Sequence, residues 1–493
     1  MEKDIITICP ICFKRIKGKL IEKDNKVYVI KKCEEHGEFK DIYFGDYETY
    51  KKFSKYYFTN KVKSPITKIE KGCPFDCGLC PNHKSESVLV NIDVTNRCNL
   101  NCPICFANAN KTGKVYEPSF EKIKEMMINL RKLGVPYLQF AGGEPTVRDD
   151  IFELIKLAKD LGFLNIQLAT NGIKLKDKEY VKKLLDAGLN TIYLQFDGLS
   201  EKPYLIARGK NLFPIKDKVI KNCREVGFNG VVLVPTLVKN VNDNEVGDII
   251  KYAVDNFDVV RGINFQPVSF VGRVDEEVRL KGRITIPDFI KLVEEQTNGE
   301  ILKDDFYPVS IEYPISKFVS KLINKDKVAI SCHPCCGVAT YIFVEDGKII
   351  PITRFLDVEG FIEFINENIE NLDSKVNKLK VLGELLIKIK RFIDFEKAPK
   401  CLNMREMLNL LVNTLKGDYS AAVKLHHKML MIGCMHFMDG YNFDIDRVSR
   451  CVIHYALPDG KIIPFCSYNL LYREMYENKY SIPIEEWKNA KRM

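Results

Sequence analysis

The chain lacks any run of the roughly eighteen uninterrupted apolar residues that a membrane-spanning helix needs, so no segment reads as a span. Its opening, Met1-Glu-Lys-Asp-Ile-Ile-Thr-Ile-Cys9, has no apolar signal core, and the expectation is a cytoplasmic protein with no cleaved address. There is no arginine-rich arm, homeodomain pattern or RNA-recognition pattern, and the net charge of +9 (75 Lys and Arg against 66 Asp and Glu) is spread without a long basic block. No nucleic-acid partner is therefore expected. Cysteine is the residue it does not lack: 17 in 493 residues, an odd number in tight clusters, which in a reducing compartment points to metal rather than disulfides. The length is about three usual domains.

The first cluster is Cys9-Pro-Ile-Cys12 with Cys33-Glu-Glu-His36, and the stretch between them reads as a hairpin turning at Asp24-Asn25. Thiolates two residues apart share one tetrahedral ion, and His36, or a cysteine from elsewhere, completes the set. The expectation is a zinc-ribbon-like module over residues 1–60 holding one mononuclear zinc or iron, its role structural.

From residue 87 to about 267, β-rich runs alternate with amphipathic helices. The runs fall at 88–95, 137–141, 165–170, 191–197, 230–237 and 262–268, and the first helix follows Ser119 with Phe120, Ile123, Met127 and Leu130 at helical spacing. Gly134, Gly162, Gly188 and Gly227 stand as C-terminal stops. Six such beats imply parallel strands with right-handed crossovers, as an open sheet or a barrel-like wrap, with chemistry at the carboxyl ends of the strands. Beyond Pro267 the beat stops and two long helices are expected, at 360–395 and 402–437, the second rich in Met. The repeated Gly347-Lys-Ile-Ile-Pro351 and Gly460-Lys-Ile-Ile-Pro464 read as hairpins beside cysteines. Cys332, Cys335, Cys336, Cys451 and Cys466 would give four ligands and one to spare. Cys223, Cys401 and Cys434 fall in helical patterns and read as buried thiols.

Directly after the first strand comes Cys98-Asn-Leu-Asn-Cys102-Pro-Ile-Cys105. Three thiolates in one short loop suit three irons of a cubane cluster with the fourth iron open, whereas zinc would want a fourth protein ligand nearby. A second triple, Cys73-Pro-Phe-Asp-Cys77-Gly-Leu-Cys80, has the same spacing but no strand leading into it.

The CxxxCxxC after strand one, with Ile104 before its last cysteine, resembles the signature of radical S-adenosylmethionine enzymes, and Gly142-Gly143-Glu144-Pro145 at the end of the second strand resembles the motif that receives the amino group of S-adenosyl-L-methionine in that family. Thr170 and Asn171, and Gln195 and Asp197, resemble the positions that contact the cofactor's ribose and carboxylate. Over residues 85–270 the resemblance implies a partial (β/α)6 barrel. It also implies a 4Fe–4S cluster on Cys98, Cys102 and Cys105, and cleavage of S-adenosylmethionine to a 5′-deoxyadenosyl radical. No general base is assigned. Cys73, Cys77 and Cys80 are expected to hold an auxiliary 4Fe–4S cluster and the C-terminal set a further one, two or three clusters in all, with reduction by an external donor such as ferredoxin or flavodoxin.

The whole chain, including Arg450-Cys-Val-Ile-His-Tyr455, resembles a narrower archaeal group that holds tetraether lipid synthases and proteins labelled radical pterin methylases. The expected architecture is α/β: residues 1–60 the ribbon-like module, 61–86 the auxiliary-cluster segment, 87–310 the partial barrel, 311–493 an α+β auxiliary-cluster and substrate-covering domain. The resemblance implies coupling of terminal carbons on isoprenoid chains of archaeal diether phospholipids, with Met-rich helices walling a lipid channel and room for peripheral contact with a membrane face. Mid-chain bridging and methylation of a pterin precursor of methanopterin are the alternatives. An iron–sulfur electron-transfer protein is the alternative of a different class, disfavoured because a relay needs no sulfonium motif.

Overall fold

The computed structural model describes residues 1–274, 281–345, 347–415 and 424–490. At the N-terminus, β1 (Glu2–Ile8), β2 (Arg15–Lys23), β3 (Lys26–Cys33) and β4 (Gly37–Phe44) form one antiparallel sheet in sequence order. The β2–β3 turn lies at Asp24-Asn25, both in the left-handed region (φ 54° and 56°), as a two-residue turn between right-twisted strands requires. This sheet docks on the far end of the chain. Thr7 Oγ1 donates to Phe443 O at 2.6 Å, the buried Lys31 Nζ to Gly440 O at 2.6 Å, and Tyr43 OH to Asp444 at 2.8 Å.

The second sheet carries the expected beat: β5 (Leu89–Thr95), β6 (Tyr137–Gly142), β7 (Asn165–Thr170), β8 (Thr191–Gln195), β9 (Val231–Val234) and β10 (Val260–Pro267), each parallel to the next. Helices α1 (Phe120–Lys132), α2 (Ile151–Asp160), α3 (Lys178–Ala187), α4 (Glu201–Arg208), α5 (Phe213–Val226) and α6 (Val246–Asp255) make the crossovers. Ser119 caps α1, its side chain accepting from Lys122 N. In β5 the odd and even positions part company. Val90, Ile92 and Val94 pack into the main core, while Asn91 and Asp93 are buried polar residues on the other face.

After β11 (Gly337–Glu345) and β12 (Lys348–Pro351), which form the first Gly-Lys-Ile-Ile-Pro hairpin, the chain departs from expectation. Of the helix expected at 402–437, Met404–Leu415 is helical, residues 416–423 lie outside the described residues, and Met429–Met435 is a strand, β13, parallel to β10 and antiparallel to β11. A short continuous apolar run fits a buried strand as well as a helix, and here the open edge of the sheet decides. Cys434 is a buried strand residue, not a helical one, and the Met-rich wall of a lipid channel does not form as one helix. At the other edge β14 (Ile453–Ala456) runs parallel to β5, and β15 (Ile462–Pro464) closes the second hairpin against it. His454 lies in β14, opposite Val90 of β5. C-terminal segments thus extend the six-stranded sheet at both edges to eight consecutive parallel strands. Among the described residues no helix is long and apolar enough to cross a membrane.

Candidate functional site

The loop leaving β5 holds Cys98, Cys102 and Cys105 beside a cavity of about 450 Å³ at the carboxyl ends of the parallel strands. Its shape is fixed by the chain's own bonds. Asn110 accepts from Cys98 N (3.1 Å) and donates to Cys98 O and Leu100 O (3.0 Å each). Cys105 and Arg273 exchange two backbone bonds of 2.9 Å, and Arg273 Nε donates to Cys102 O at 2.6 Å. Leu100 N points at Cys98 Sγ, 3.4 Å away. Burial pushes the Cys98 thiol up to about 12 and raises Cys102. Without a cation these sulfurs stay protonated, and a bound metal centre is what would ionise them.

The Gly-Gly-Glu-Pro turn at the end of β6 is pressed against that loop. A Cβ on Gly142 (φ 129°) would stand 2.1 Å from Thr95 O, and one on Gly143 2.3 Å from Arg97 O. The close approach these glycines permit is therefore that of Thr95–Arg97, and Gly143 N and Glu144 N donate to Thr95 O (2.7 Å) and Arg97 O (2.8 Å). Glu144 is buried and already engaged. Oε1 accepts from Thr146 N (3.1 Å), Thr146 Oγ1 (2.6 Å) and Thr170 Oγ1 (2.7 Å), and Oε2 accepts from Asn171 N (2.7 Å). It locks the end of β6 to the end of β7. Pro145 starts the short turn of helix that follows. Asn171 in turn donates to Asn99 Oδ1 at 2.7 Å and turns the same amide toward Cys98 Sγ, 3.9 Å away.

At the end of β8, Asp197 has no exposed surface. It receives a two-pronged bond from Arg208 on α4 (Nε 2.7 Å, Nη2 2.8 Å), and a further one from Gln195 Nε2. Arg208 also donates to Ile104 O (3.1 Å), which ties this network to the cysteine loop. Lys216 on α5, fully buried, donates to Asn171 O (2.5 Å) and Gln195 Oε1 (2.8 Å), and burial lowers its ammonium to about 7. Sequence reasoning missed Arg208 and Lys216. A cation on an amphipathic helix ordinarily faces water, and only the fold turns these two inward.

The cavity floor is polar. Tyr455, Asn91, Gln139 and Gln167 lie side by side in register across β14, β5, β6 and β7, and all four line the cavity. Gln139 donates to Gln167 Oε1 (3.1 Å), Asn91 Nδ2 to His454 O (3.1 Å), and Asn91 Oδ1 is buried without a partner among the described residues. Opposite, Gln266 donates to the Tyr193 hydroxyl at 2.9 Å, as does Asn264. One flank is aromatic: Phe437 stacks on Phe465 (4.0 Å), with Phe106 and Tyr455 against Phe465 (5.5 and 5.3 Å). Polar residues at alternate positions of β5 were the readable signal for this floor, since a parallel strand covered by helices on one face and by side chains on the other is ordinarily apolar throughout.

The remaining cysteines fall into three places. Cys73, Cys77 and Cys80 line a second cavity of about 610 Å³ between β1 and residues 444–449. Burial raises the Cys332, Cys451, Cys466 and Cys77 thiols, and neighbouring thiols add to it: Cys336 and Cys451 at Cys332, Cys466 and Cys336 at Cys451, Cys336 at Cys466, and Cys451 at Cys77, so the two sets are neighbours. Cys335 is buried in the main core, and Cys336 adds to the rise that burial gives its thiol. In the ribbon, the ligand atoms of Cys9, Cys12, Cys33 and His36 all lie within 4.8 Å of one another. Cys12 Sγ is 3.9 Å from Cys33 Sγ, and His36 Nδ1 is 3.8 Å from Cys9 Sγ and 3.5 Å from Cys33 Sγ. Tetrahedral zinc with ordinary bond lengths asks for about 3.8 Å between sulfurs and about 3.6 Å from sulfur to nitrogen. The residues fit one mononuclear ion.

Comparison with known proteins agrees with this geometry. The model of the radical SAM superfamily matches residues 92–253, and that of the HMPTM N-terminal zinc ribbon domain matches residues 1–45. The 7,8-dihydro-6-hydroxymethylpterin dimethyltransferase of Methanocaldococcus jannaschii is 66% identical over 99% of this chain and 97% of its own length. The GTP 3′,8-cyclase of Peptoclostridium acidaminophilum is 33% identical over 53% of this chain and 78% of its own length. Among solved structures, Streptococcus suis SuiB bound to precursor peptide SuiA aligns over 44% of this chain and 47% of its own, with a TM-score of 0.37 and 21% identity. The full-length likeness to a pterin dimethyltransferase corrects the expectation of isoprenoid coupling on archaeal diether phospholipids: the alternative, a radical pterin methylase, is the one it supports.

Proposed function

The chain belongs to the radical S-adenosylmethionine superfamily, in the family of the Methanocaldococcus jannaschii dimethyltransferase, and on that premise we propose that it methylates a reduced pterin of the 7,8-dihydro-6-hydroxymethylpterin kind. The observation that carries this reading is the 66% identity maintained over 97% of that relative's length. The cavity supports it. A flat heterocycle with a hydrogen-bonding edge suits about 450 Å³ of space with amides on the floor and stacked rings on one flank. GTP and dihydropterin share a 2-amino-4-oxopyrimidine ring, so the likeness to GTP cyclases supports the same kind of pocket.

S-adenosyl-L-methionine and 4Fe–4S clusters are the superfamily's cofactors, and together they supply a 5′-deoxyadenosyl radical on one-electron reduction. In this reading Cys98, Cys102 and Cys105 hold the cluster that binds the cofactor. Cys73, Cys77 and Cys80 hold an auxiliary cluster, and Cys332, Cys336, Cys451 and Cys466 a further one, which leaves Cys335 to the core. Glu144 keeps Thr170 and Asn171 at the cavity edge. Asp197 and Arg208 fix the far wall, and Lys216 braces Asn171 against Gln195. Ferredoxin or flavodoxin is the donor proposed.

The test is anaerobic reconstitution with iron and sulfide, followed by a strong reductant, 7,8-dihydro-6-hydroxymethylpterin and excess S-adenosylmethionine. One molecule of S-adenosylmethionine is cleaved to deoxyadenosine and methionine, while a second can give its methyl and leave as S-adenosylhomocysteine. A parallel arm supplies a methylene-carrying reduced pterin or folate as the one-carbon donor. Deoxyadenosine and pterin masses are read together. Pterin heavier by one and then two methylenes is expected, with an archaeal diether phospholipid in a parallel arm left unchanged. Unchanged pterin, or lipid that loses hydrogens, overturns the proposal.

A further inference from the structure

Helix Lys375–Phe392 has two apolar faces where a surface helix needs one. Its inner face, Val381, Leu385, Ile389 and Phe392, is buried in a core of its own with Phe318, Phe343 and Phe364. On the opposite arc Val376, Leu379, Leu386 and Ile387 stand 74%, 70%, 42% and 83% exposed. Gly383 lies on the same arc, and a Cβ there would meet nothing within 4 Å. At 100° per residue these five positions fall within about one-third of the helix circumference. Such a stripe, facing water, is costly unless something covers it.

Charge identifies the cover. The helix carries six Lys and Arg against the single Glu384. Lys375 borders the apolar arc on one side, Lys380 and Arg391 border it on the other, and Lys390 lies within it. All four are exposed, with no ion pair among the described residues. An aliphatic stripe flanked by cations on both sides is the pattern of a helix lying in the plane of an anionic bilayer, its stems and aliphatic groups among the acyl chains and its ammonium groups at the phosphates. A second copy of the same face would bring four cations against four, so we propose that Lys375–Phe392 docks the protein reversibly on an anionic membrane surface. The proposal does not depend on which substrate the barrel takes.

The test is cosedimentation of the full-length protein with vesicles of phosphatidylglycerol mixed with phosphatidylcholine, against vesicles of phosphatidylcholine alone. Binding to the first and not the second is expected, weakened as salt rises from about 0.1 to about 1 M and the Debye length falls from about 10 to about 3 Å. The double variant Leu379→Ser, Ile387→Ser should bind at least about tenfold more weakly with an unchanged melting temperature. Leu164→Ser, which removes a lone exposed leucine (68%) elsewhere, should bind as the parent does. No binding to the mixed vesicles, equal binding to both kinds, or a double variant that still binds overturns the proposal. Concentration-dependent dimerisation abolished by the double variant, without vesicle binding, assigns the face to a second copy instead and also overturns it.

Discussion

The ribbon and the barrel loop both carry closely spaced cysteines, yet they are built in opposite ways. In the ribbon the four ligand atoms of Cys9, Cys12, Cys33 and His36 already converge within 4.8 Å, and among the described residues no other group of His, Cys, Asp and Glu does so. In the barrel the thiols do not converge. The bonds there go to the backbone around them, from Asn110, Arg273 and Arg208, and to the Gly142–Glu144 turn. One site is shaped around a single ion and staples the turns of a small sheet whose apolar face, with Leu20, Val27 and Val29, packs into the main core. The other is a rigid rim around a space, as a polynuclear centre and a cofactor would need.

The sharpest way to break the contrast is to remove one thiol from each. Cys102→Ala should abolish deoxyadenosine formation and remove most iron–sulfur absorbance while leaving the melting temperature close to the parent's. Cys33→Ala should do the reverse, because metal contributes on the order of 10 kcal/mol to folding small zinc modules. Loss of the mononuclear ion, an early melting transition and retained iron–sulfur absorbance are expected. If both variants melt alike, the distinction fails. A smaller effect lies in the barrel wall, where Asp197→Asn leaves Arg208 buried without its carboxylate. That costs about 3–5 kcal/mol, and it should raise the KM for S-adenosylmethionine at least about tenfold, read by deoxyadenosine assays alongside thermal melts. Glu144→Gln comes next. Its amide would face donors from Thr146, Thr170 and Asn171, at a cost of about 1–3 kcal/mol, and cofactor affinity measured by equilibrium dialysis should fall.

Local signals were legible where chemistry and spacing coincide. The Asp24-Asn25 turn, the Cys9–His36 set and the six strand–helix beats from 88 to 268 follow from short-range rules, and the structure has each of them. What stayed hidden is non-local. Met429–Met435 is a strand because β10 offers it an edge, and Ile453–Ala456 pairs with a strand more than 350 residues earlier. Arg473 on the helix Arg473–Tyr480 closes a buried pair with Asp93 at 2.6 Å for the same reason. No window of sequence contains both halves of such contacts. The substrate was illegible for a further reason. The motifs record how a radical is made, whereas the residues proposed to meet what receives it are a row of amides, Asn91, Gln139 and Gln167, that only register brings together.

Lys216 gives the finest test of the barrel wall, because its effect is a slope rather than a loss. Burial holds its folded value near 7, against 10.5 for a free lysine, with Asp197 pulling the other way. Between those two pH values the unfolded chain keeps a proton that the folded chain has released, so this group makes the protein more stable as pH rises from about 7 to about 10.5. Below 7 the folded state bears the full cost of a buried ammonium. Lys216→Met removes that pH-dependent term. It also leaves Asn171 O and Gln195 Oε1 without their donor, a penalty that is the same at every pH. The melting temperature of the variant relative to the parent should therefore be highest near pH 6 and fall steadily toward pH 10, whatever the constant offset. A difference that stays flat across this range would mean that Lys216 is charged throughout, held by Asp197, and that the wall is a salt-bridge network rather than a neutral brace.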